Sequence, residues 1–337
     1  MKSIVCIEPG KFSIKKSDMP VPLPGHSILR IKRIGICGTD YHAFAGNQPF
    51  FSYPRVLGHE ICAEIYQSDN QIFTLGQQVT VSPYIYCGEC LACRNGKTNC
   101  CISIKVMGVH VDGAMREYIS VPDALIIDGG GLPTDHLALI EPLAIGAHGV
   151  SRAFICPGET VLVIGAGPIG LATADFCRIA GAHVIMMDVN KTRLAFCERE
   201  LEILGTINPL SEDPVTKILQ FNSGNLPTAV FDCTGNLNAI ERAFPIIAHG
   251  GRMVMIGLQK ADITFSHPEF HKKEGTLMSS RNALPADFLH VMQCIKSGLL
   301  NVEKYISHRV PFEMLIGKFD ELSAIDTGVI KAIVTFD

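Results

Sequence analysis

The sequence predicts an α/β protein organised around a doubly wound parallel sheet, and three observations carry that prediction. The first is Val161–Ile164, a short, wholly apolar, β-branched run that leads straight into G-A-G-P-I-G at residues 165–170. Unbroken apolar strands of this kind are those covered on both faces. The second is the continuation: a helix-like segment to Ala180, a stop at Gly181, and a strand, His183–Met187, that ends at Asp188. The third is the return of the same signal in A-V-F-D-C-T-G (229–235) and G-G-R-M-V-M-I-G (250–257).

The glycine turn has the form that receives a dinucleotide. Gly165 permits the tight bend, Gly167 lets a pyrophosphate approach the backbone, and Gly170 lets the helix pack close to the strand. The helix start, at Pro168 and Ile169, offers free N–H groups and a positive dipole end to phosphates. Asp188 follows Gly170 by 18 residues, close to the spacing at which a carboxylate holds both hydroxyls of an adenosine ribose. That acid favours NAD, because it would repel a 2′-phosphate. Lys191 and Arg193 stand near and pull the other way without removing it. Arg193 and Thr234, the latter just past the strand ending at Asp232, complete the cofactor-binding candidates.

Composition frames this reading. The chain has 337 residues, comfortable for two domains, and is 47% hydrophobic and 18% charged, with mean hydropathy +0.25. A net charge of -4 gives no nucleic-acid footprint and no polybasic anchor. No apolar run approaches the roughly 18 residues of a membrane span. The N-terminus, M-K-S-I-V-C-I-E-P, meets an acid and a proline before a signal core develops. A cytoplasmic protein with no nucleic-acid or membrane partner is expected. Thirteen cysteines then read as thiols and metal ligands rather than a disulfide framework.

From the N-terminus, β-like runs alternate with turn residues, and Ser27–Ile31 alternates as a half-buried strand. I-G-I-C-G-T-D-Y-H (34–42) and P-R-V-L-G-H-E-I (54–61) then supply Cys37, His59 and Glu60. Cysteine, histidine and a carboxylate are the mixed set of a catalytic zinc with one open position. Taken singly, Cys37 reads equally as a small core residue and His59 as an ordinary hydrogen-bonded histidine.

Cys87, Cys90, Cys93 and Cys101 form C-x-x-C-x-x-C followed by a fourth cysteine after seven residues. Four thiolates in one short loop close a tetrahedral site, so a zinc there is structural; Cys100 is an alternative to Cys101. Residues 108–122 read as further strand, and 136–150 as helix. Glu141 sits in that apolar helix start, where an unpaired carboxylate is costly and a metal would remove the cost.

C-G-T-D-Y-H, G-H-E, the four-cysteine loop, the E-P step at Glu141 and G-A-G-P-I-G occur in the order of the zinc-dependent medium-chain alcohol dehydrogenases. The chain resembles the polyol and threonine dehydrogenase branch over nearly its whole length. G-N-Q-P-F-F-S-Y-P-R-V-L-G-H-E-I, P-E-F-H-K-K-E and S-R-N-A resemble a narrower group acting on sugar acids.

The resemblance implies a GroES-like, mostly β catalytic domain at residues 1–142 and 286–337, with a Rossmann NAD-binding domain at 143–285. It implies two zinc ions per chain, NAD as cofactor, and a homo-oligomer, dimer or tetramer. The catalytic zinc would use Cys37, His59 and either Glu60 or Glu141, one directly and the other through water or in exchange. Thr39 and His42 would relay the proton released by the alcohol. The substrate would be a sugar acid oxidised at a secondary hydroxyl, C5 of an aldonate. A polyol or L-threonine is the alternative, and a catalytically silent sensor of cofactor or sugar acid is the reading outside enzymology. A carboxylate substrate needs a cation: Arg281 is the first candidate, Lys272 and Lys273 stand behind it, and Asn47 lies in the loop of closest resemblance.

Overall fold

The computed structural model describes residues 1–48, 51–324 and 328–336. Pro49 and Phe50, within the stretch G-N-Q-P-F-F, lie outside the described residues. The chain divides into two compact units, Met1–Glu141 with Leu284–Asp337, and Pro142–Ala283.

The first unit is mostly β. Its main sheet runs in the order Ile126–Asp128, Gln78–Val81, Glu60–Gln67, His26–Gly35, Lys331–Thr335 and Ile306–Pro311, and Tyr118–Pro122 also pairs with His26–Gly35. A three-stranded sheet places Lys2–Glu8 between Lys11–Lys16 and Arg55–Val56. Alternation along His26–Gly35 puts Leu29 and Ile31, and a register shift between Ile31 and Arg33 then puts Ile34, into a core shared with Ile4, Ile61 and Phe319. Register carries function here. In the antiparallel pairing Gly35 faces Glu60, and Ile333 of the last strand also faces Gly35.

The expectation of strand throughout 108–122 is corrected: only Tyr118–Pro122 is strand. Gly108 bends the chain at φ +73°, and residues 113–115 turn their amides onto the Val56–Gly58 backbone instead of a ladder. The expected helix over 136–150 is two helices, Thr134–Ala138 and Ile140–Ala153, parted at Leu139.

The second unit is a six-stranded, wholly parallel sheet. Its order is Gly205–Ile207, His183–Met187, Thr160–Ile164, Ala229–Asp232, Arg252–Met255 and Thr276–Ser279. In chain order this is 3-2-1-4-5-6, the Rossmann arrangement, with its switch point between Thr160–Ile164 and Ala229–Asp232. Helices follow the strands through capped turns. Asn190, Asp213 and Asn236 each accept the N–H three residues on, as first-turn donors require. No helix of the described residues is long and apolar enough to cross a membrane.

Candidate metal centres and cofactor turn

Cys37 stands at the N-cap of the helix Gly38–Phe44. Asp40, buried in the first turn, caps it: Oδ2 accepts the Cys37 N–H at 2.9 Å. Its Oδ1 accepts the Gly58 N–H at 3.2 Å and lies 3.9 Å from His59 Nδ1. One buried carboxylate therefore ties the Cys37 turn to the loop that carries His59. From the other side Gly113 and Met115 donate to the carbonyls of Val56 and Leu57 at 2.7 and 2.9 Å. A Cβ on Gly113 would come within 2.4 Å of the Leu57 and Gly58 carbonyl oxygens, so only glycine allows this approach. The donor atoms of Cys37, His59 and Glu60 end within 4.8 Å of one another.

This cluster is electrically arranged for a cation. His59 Nδ1 is buried and has no hydrogen-bond partner among the described residues. Burial opposes charge on the ring, yet Cys37, Asp40 and Glu141 outweigh it and hold the His59 pKa well above the usual range. Glu141 is buried as well, and desolvation pushes its carboxyl up to about 6 even though His59 pulls it down. Its Oε1 accepts the Tyr84 phenol, whose own pKa burial and Glu141 drive well upward. Glu60, also buried, receives the Lys331 ammonium at 2.6 Å on Oε1 and 2.9 Å on Oε2. A thiol, an imidazole and a carboxylate gathered in this way fit a catalytic zinc. On the same helix Thr39 is half-buried and His42 exposed, three positions apart and hence on one face.

The four cysteines suit a structural zinc by distance. Zinc–sulfur bonds of about 2.3 Å in a tetrahedron require sulfurs about 3.8 Å apart. Cys90–Cys93 and Cys87–Cys101 are 3.5 Å apart and Cys87–Cys93 4.0 Å. The Cys87 amide donates to Cys101 Sγ at 3.3 Å and lowers that thiol's pKa to about 6. Cys101 is buried in the cluster, whereas Cys100 is exposed outside it.

In the second unit Gly165 turns at φ +100°, and a Cβ on Gly170 would lie 1.7 Å from the Gly165 carbonyl oxygen. Gly167 is different: a Cβ there meets only Arg193 Nη1, at 3.8 Å, so its face is open to a ligand. Pro168 and Ile169 begin the helix Pro168–Ile179. Asp188 accepts the Ala166 N–H at 2.6 Å and the Asn190 N–H at 2.7 Å, bracing the turn from the neighbouring strand. Thr234 donates its hydroxyl to Asp232 at 2.5 Å, past the end of Ala229–Asp232.

The substrate candidates are spread over both units. Asn47 is exposed in the first, just beyond Gly38–Phe44; Lys272 and Arg281 are exposed in the second. Lys272 pairs at 3.6 Å with Glu269. Lys273 is corrected as a substrate cation: its ammonium donates to the Pro245 and Ile247 carbonyls at 2.6 Å each and is committed to the fold. Asp40, Tyr84 and Lys331 were absent from the sequence-derived site. A charged residue inside the apolar run V-I-K-A-I-V was the one available signal for Lys331.

Residues 23–130 match the model for the alcohol dehydrogenase GroES-like domain, and residues 168–297 that for zinc-binding dehydrogenase. The chain belongs to the zinc-type alcohol dehydrogenase family and is an oxidoreductase of that medium-chain, GroES-like and Rossmann architecture. It is 45% identical to L-galactonate-5-dehydrogenase of Escherichia coli (strain K12), over 100% of this chain and 99% of that one. It is 30% identical to 2-dehydro-3-deoxy-L-galactonate 5-dehydrogenase of Pseudoalteromonas atlantica, covering 96% and 95%. Among solved structures it superposes on a short chain alcohol dehydrogenase (rspB) from E. coli CFT073 complexed with NADH. That match has TM-score 0.93 and 29% identity, over 100% and 99% of the two chains.

Proposed function

We propose that this chain oxidises a sugar acid of the L-galactonate or L-gulonate type at its C5 secondary hydroxyl, with NAD as acceptor. The observation that carries the substrate class is the end-to-end 45% identity to L-galactonate-5-dehydrogenase, with no domain left unmatched. NAD rests on Asp188 at the adenosine-ribose position and on the NADH held by the rspB relative. Two zinc ions per chain are assigned, a structural one to Cys87, Cys90, Cys93 and Cys101 and a catalytic one to Cys37, His59 and a carboxylate. None of the thirteen cysteines is in a disulfide, which suits a reducing cytoplasm, and a homo-oligomer is taken from the resemblance.

When bound, zinc supplies Lewis acidity that makes a neighbouring alcohol easier to deprotonate, and the nicotinamide supplies the hydride acceptor. The chain's own residues supply position and a proton path. Asp40 fixes the Cys37 turn and, through the Gly58 amide, the loop that carries His59. The Thr39 hydroxyl accepts the alcohol proton as it passes its own on, by way of the cofactor ribose, toward His42, which lies on the same helix face and releases it to water. Arg281 is assigned to the substrate carboxylate, which a planar guanidinium holds through two parallel hydrogen bonds.

The test compares NADH formation from L-galactonate and L-gulonate with that from sorbitol, xylitol and L-threonine. Aldonates should lead by at least tenfold in kcat/KM, and Arg281→Ala should cost them about 2–5 kcal/mol while sparing the polyols. Faster turnover of neutral polyols than of either aldonate overturns the substrate class. Equal loss on both classes in the variant removes Arg281 from carboxylate recognition.

A further inference from the structure

In the second unit the chain between the strands Arg252–Met255 and Thr276–Ser279 forms the short helix His267–Lys272. Its sequence, H-P-E-F-H-K, sets two exposed histidines four residues apart, and so on one helix face. Their ring centroids are 5.7 Å apart, with the planes at 60°. Among the described residues neither ring nitrogen takes part in a hydrogen bond or an ion pair. One metal–nitrogen bond of about 2.1 Å to each ring holds two imidazole centroids about 4.5–6.5 Å apart, so the observed spacing admits an ion between them. The rest of the helix is fixed or self-paired. Phe270 packs into an aromatic cluster with Phe244 and Phe265, at centroid distances of 5.7 and 5.3 Å. Gly275 makes room for that ring, since a Cβ there would come within 2.6 Å of it. Lys273 pins the helix end to the Pro245 and Ile247 carbonyls, at 2.6 Å each. Glu269 and Lys272 pair with each other at 3.6 Å.

We propose that His267 and His271 form a surface site for one divalent transition metal ion of the kind imidazole prefers, nickel, copper or zinc, with water in the remaining positions. The site is separate from both candidate zinc centres and does not depend on how they are filled. Its physical basis is preorganisation. A six-residue helix would fray by itself, but Phe270 and Lys273 anchor this one to the body of the unit. Both imidazoles are therefore presented at chelating distance before an ion arrives. Once one ring has bound, the second bond is intramolecular, and the pair holds the ion far more tightly than either ring alone. Two protein donors still bind more loosely than a closed set of four thiolates, so this ion exchanges while a structural zinc stays. An ion bridging both rings also fastens the first turn of the helix to the next, so binding adds stability to the folded chain.

The experiment titrates the untagged full chain with nickel by calorimetry, with zinc content measured before and after. One nickel per chain should bind with no zinc released, and the melting temperature should rise with nickel. His267→Ala and His271→Ala should each weaken nickel at least tenfold and abolish that rise. The double variant should lose less than a further threefold, because a single ring is no chelate. His249→Ala is the control: His249 is exposed in the neighbouring turn, where the Gly250 amide donates to the Lys273 carbonyl at 2.6 Å. Its nickel affinity should stay within twofold of wild type. Glutamine at 267 or 271, which fills similar space without a ring nitrogen, repeats the test if alanine disturbs the helix. Nickel uptake matched by zinc loss overturns the proposal, as does wild-type affinity in either helix variant. A tenfold loss in His249→Ala as well would show scattered surface imidazoles and overturn it too.

Discussion

At the Asp188 carboxylate, one side chain braces the loop and is the residue proposed for the cofactor ribose. It accepts the Ala166 and Asn190 amides, and so braces the glycine turn before any cofactor arrives. Each carboxylate oxygen has a second lone pair with which to accept a ribose hydroxyl. Asp188→Ala should therefore do two separable things. The ratio of kcat/KM for NAD over NADP should fall at least tenfold, about 1.4 kcal/mol, as repulsion of the 2′-phosphate is lost. The melting temperature should fall too, since two backbone donors lose their acceptor. Steady-state kinetics with both cofactors and a thermal melt read the two effects. An unchanged cofactor preference would remove Asp188 from the ribose site while leaving its role in the turn. Asp40 shows the same economy in the first unit, since its two oxygens accept the Cys37 and Gly58 amides together.

Between elements, Asp135 is the hub that fastens the helix Thr134–Ala138 to two strands. Oδ1 accepts Arg33 Nε at 2.7 Å, from His26–Gly35, and Oδ2 accepts Arg309 Nε at 2.7 Å, from Ile306–Pro311. Burial pushes the carboxyl up, but the hydrogen bonds and charges of Arg309 and Arg33 win and hold it below the ordinary aspartate value. A depressed folded-state pKa stabilises above the unfolded value near 4, and that stability disappears as pH falls through the folded pKa. Arg309 is 44% exposed, so its share is screened by solvent. Asp135→Asn should cost about 1–2 kcal/mol at pH 7, and the gap from wild type should shrink below about pH 4. Urea unfolding at pH 7, 5 and 3.5 measures it. A constant difference across that range would show that shape, not charge, holds this junction.

For the molecule as a whole, the two candidate zinc centres should differ in what they sustain. The segment Cys87–Ile102 has two short helical turns, exposed Leu91 and Ile102, and few buried side chains beyond its cysteines. Without metal its thiolates repel one another and little apolar packing remains to hold the loop. Cys90→Ser or Cys93→Ser should give one zinc per chain, a lower melting temperature and protease cleavage near residues 87–104. Cys37→Ser or His59→Ala should also give one zinc per chain, but with the fold intact and NADH formation abolished. Zinc analysis, circular dichroism and limited proteolysis distinguish the two classes. Equal resistance to protease in both would make the four-cysteine site dispensable to the fold.

Chemistry confined to a short span of chain was legible without coordinates. The glycine turn and the cysteine loop each fall within about twenty residues, where chain neighbours are bound to be spatial neighbours, and backbone constraints name the residue at each step. The parallel sheet was legible for a related reason: a strand covered on both faces must be apolar throughout. Residues 108–117 misled because the alternation V-H-V at 109–111 matches a strand, while the glycines at 108 and 113 turn that backbone onto Val56–Gly58. Likewise a lysine pair in sequence hid two fates, Lys272 exposed and Lys273 spent on carbonyls. The partners of the two buried acids belonged wholly to tertiary structure. Lys331 reaches Glu60 across 271 positions of chain, and Tyr84 reaches Glu141 across 57. Strand register creates those meetings, and register depends on the whole sheet burying its core at once rather than on any local run of residues.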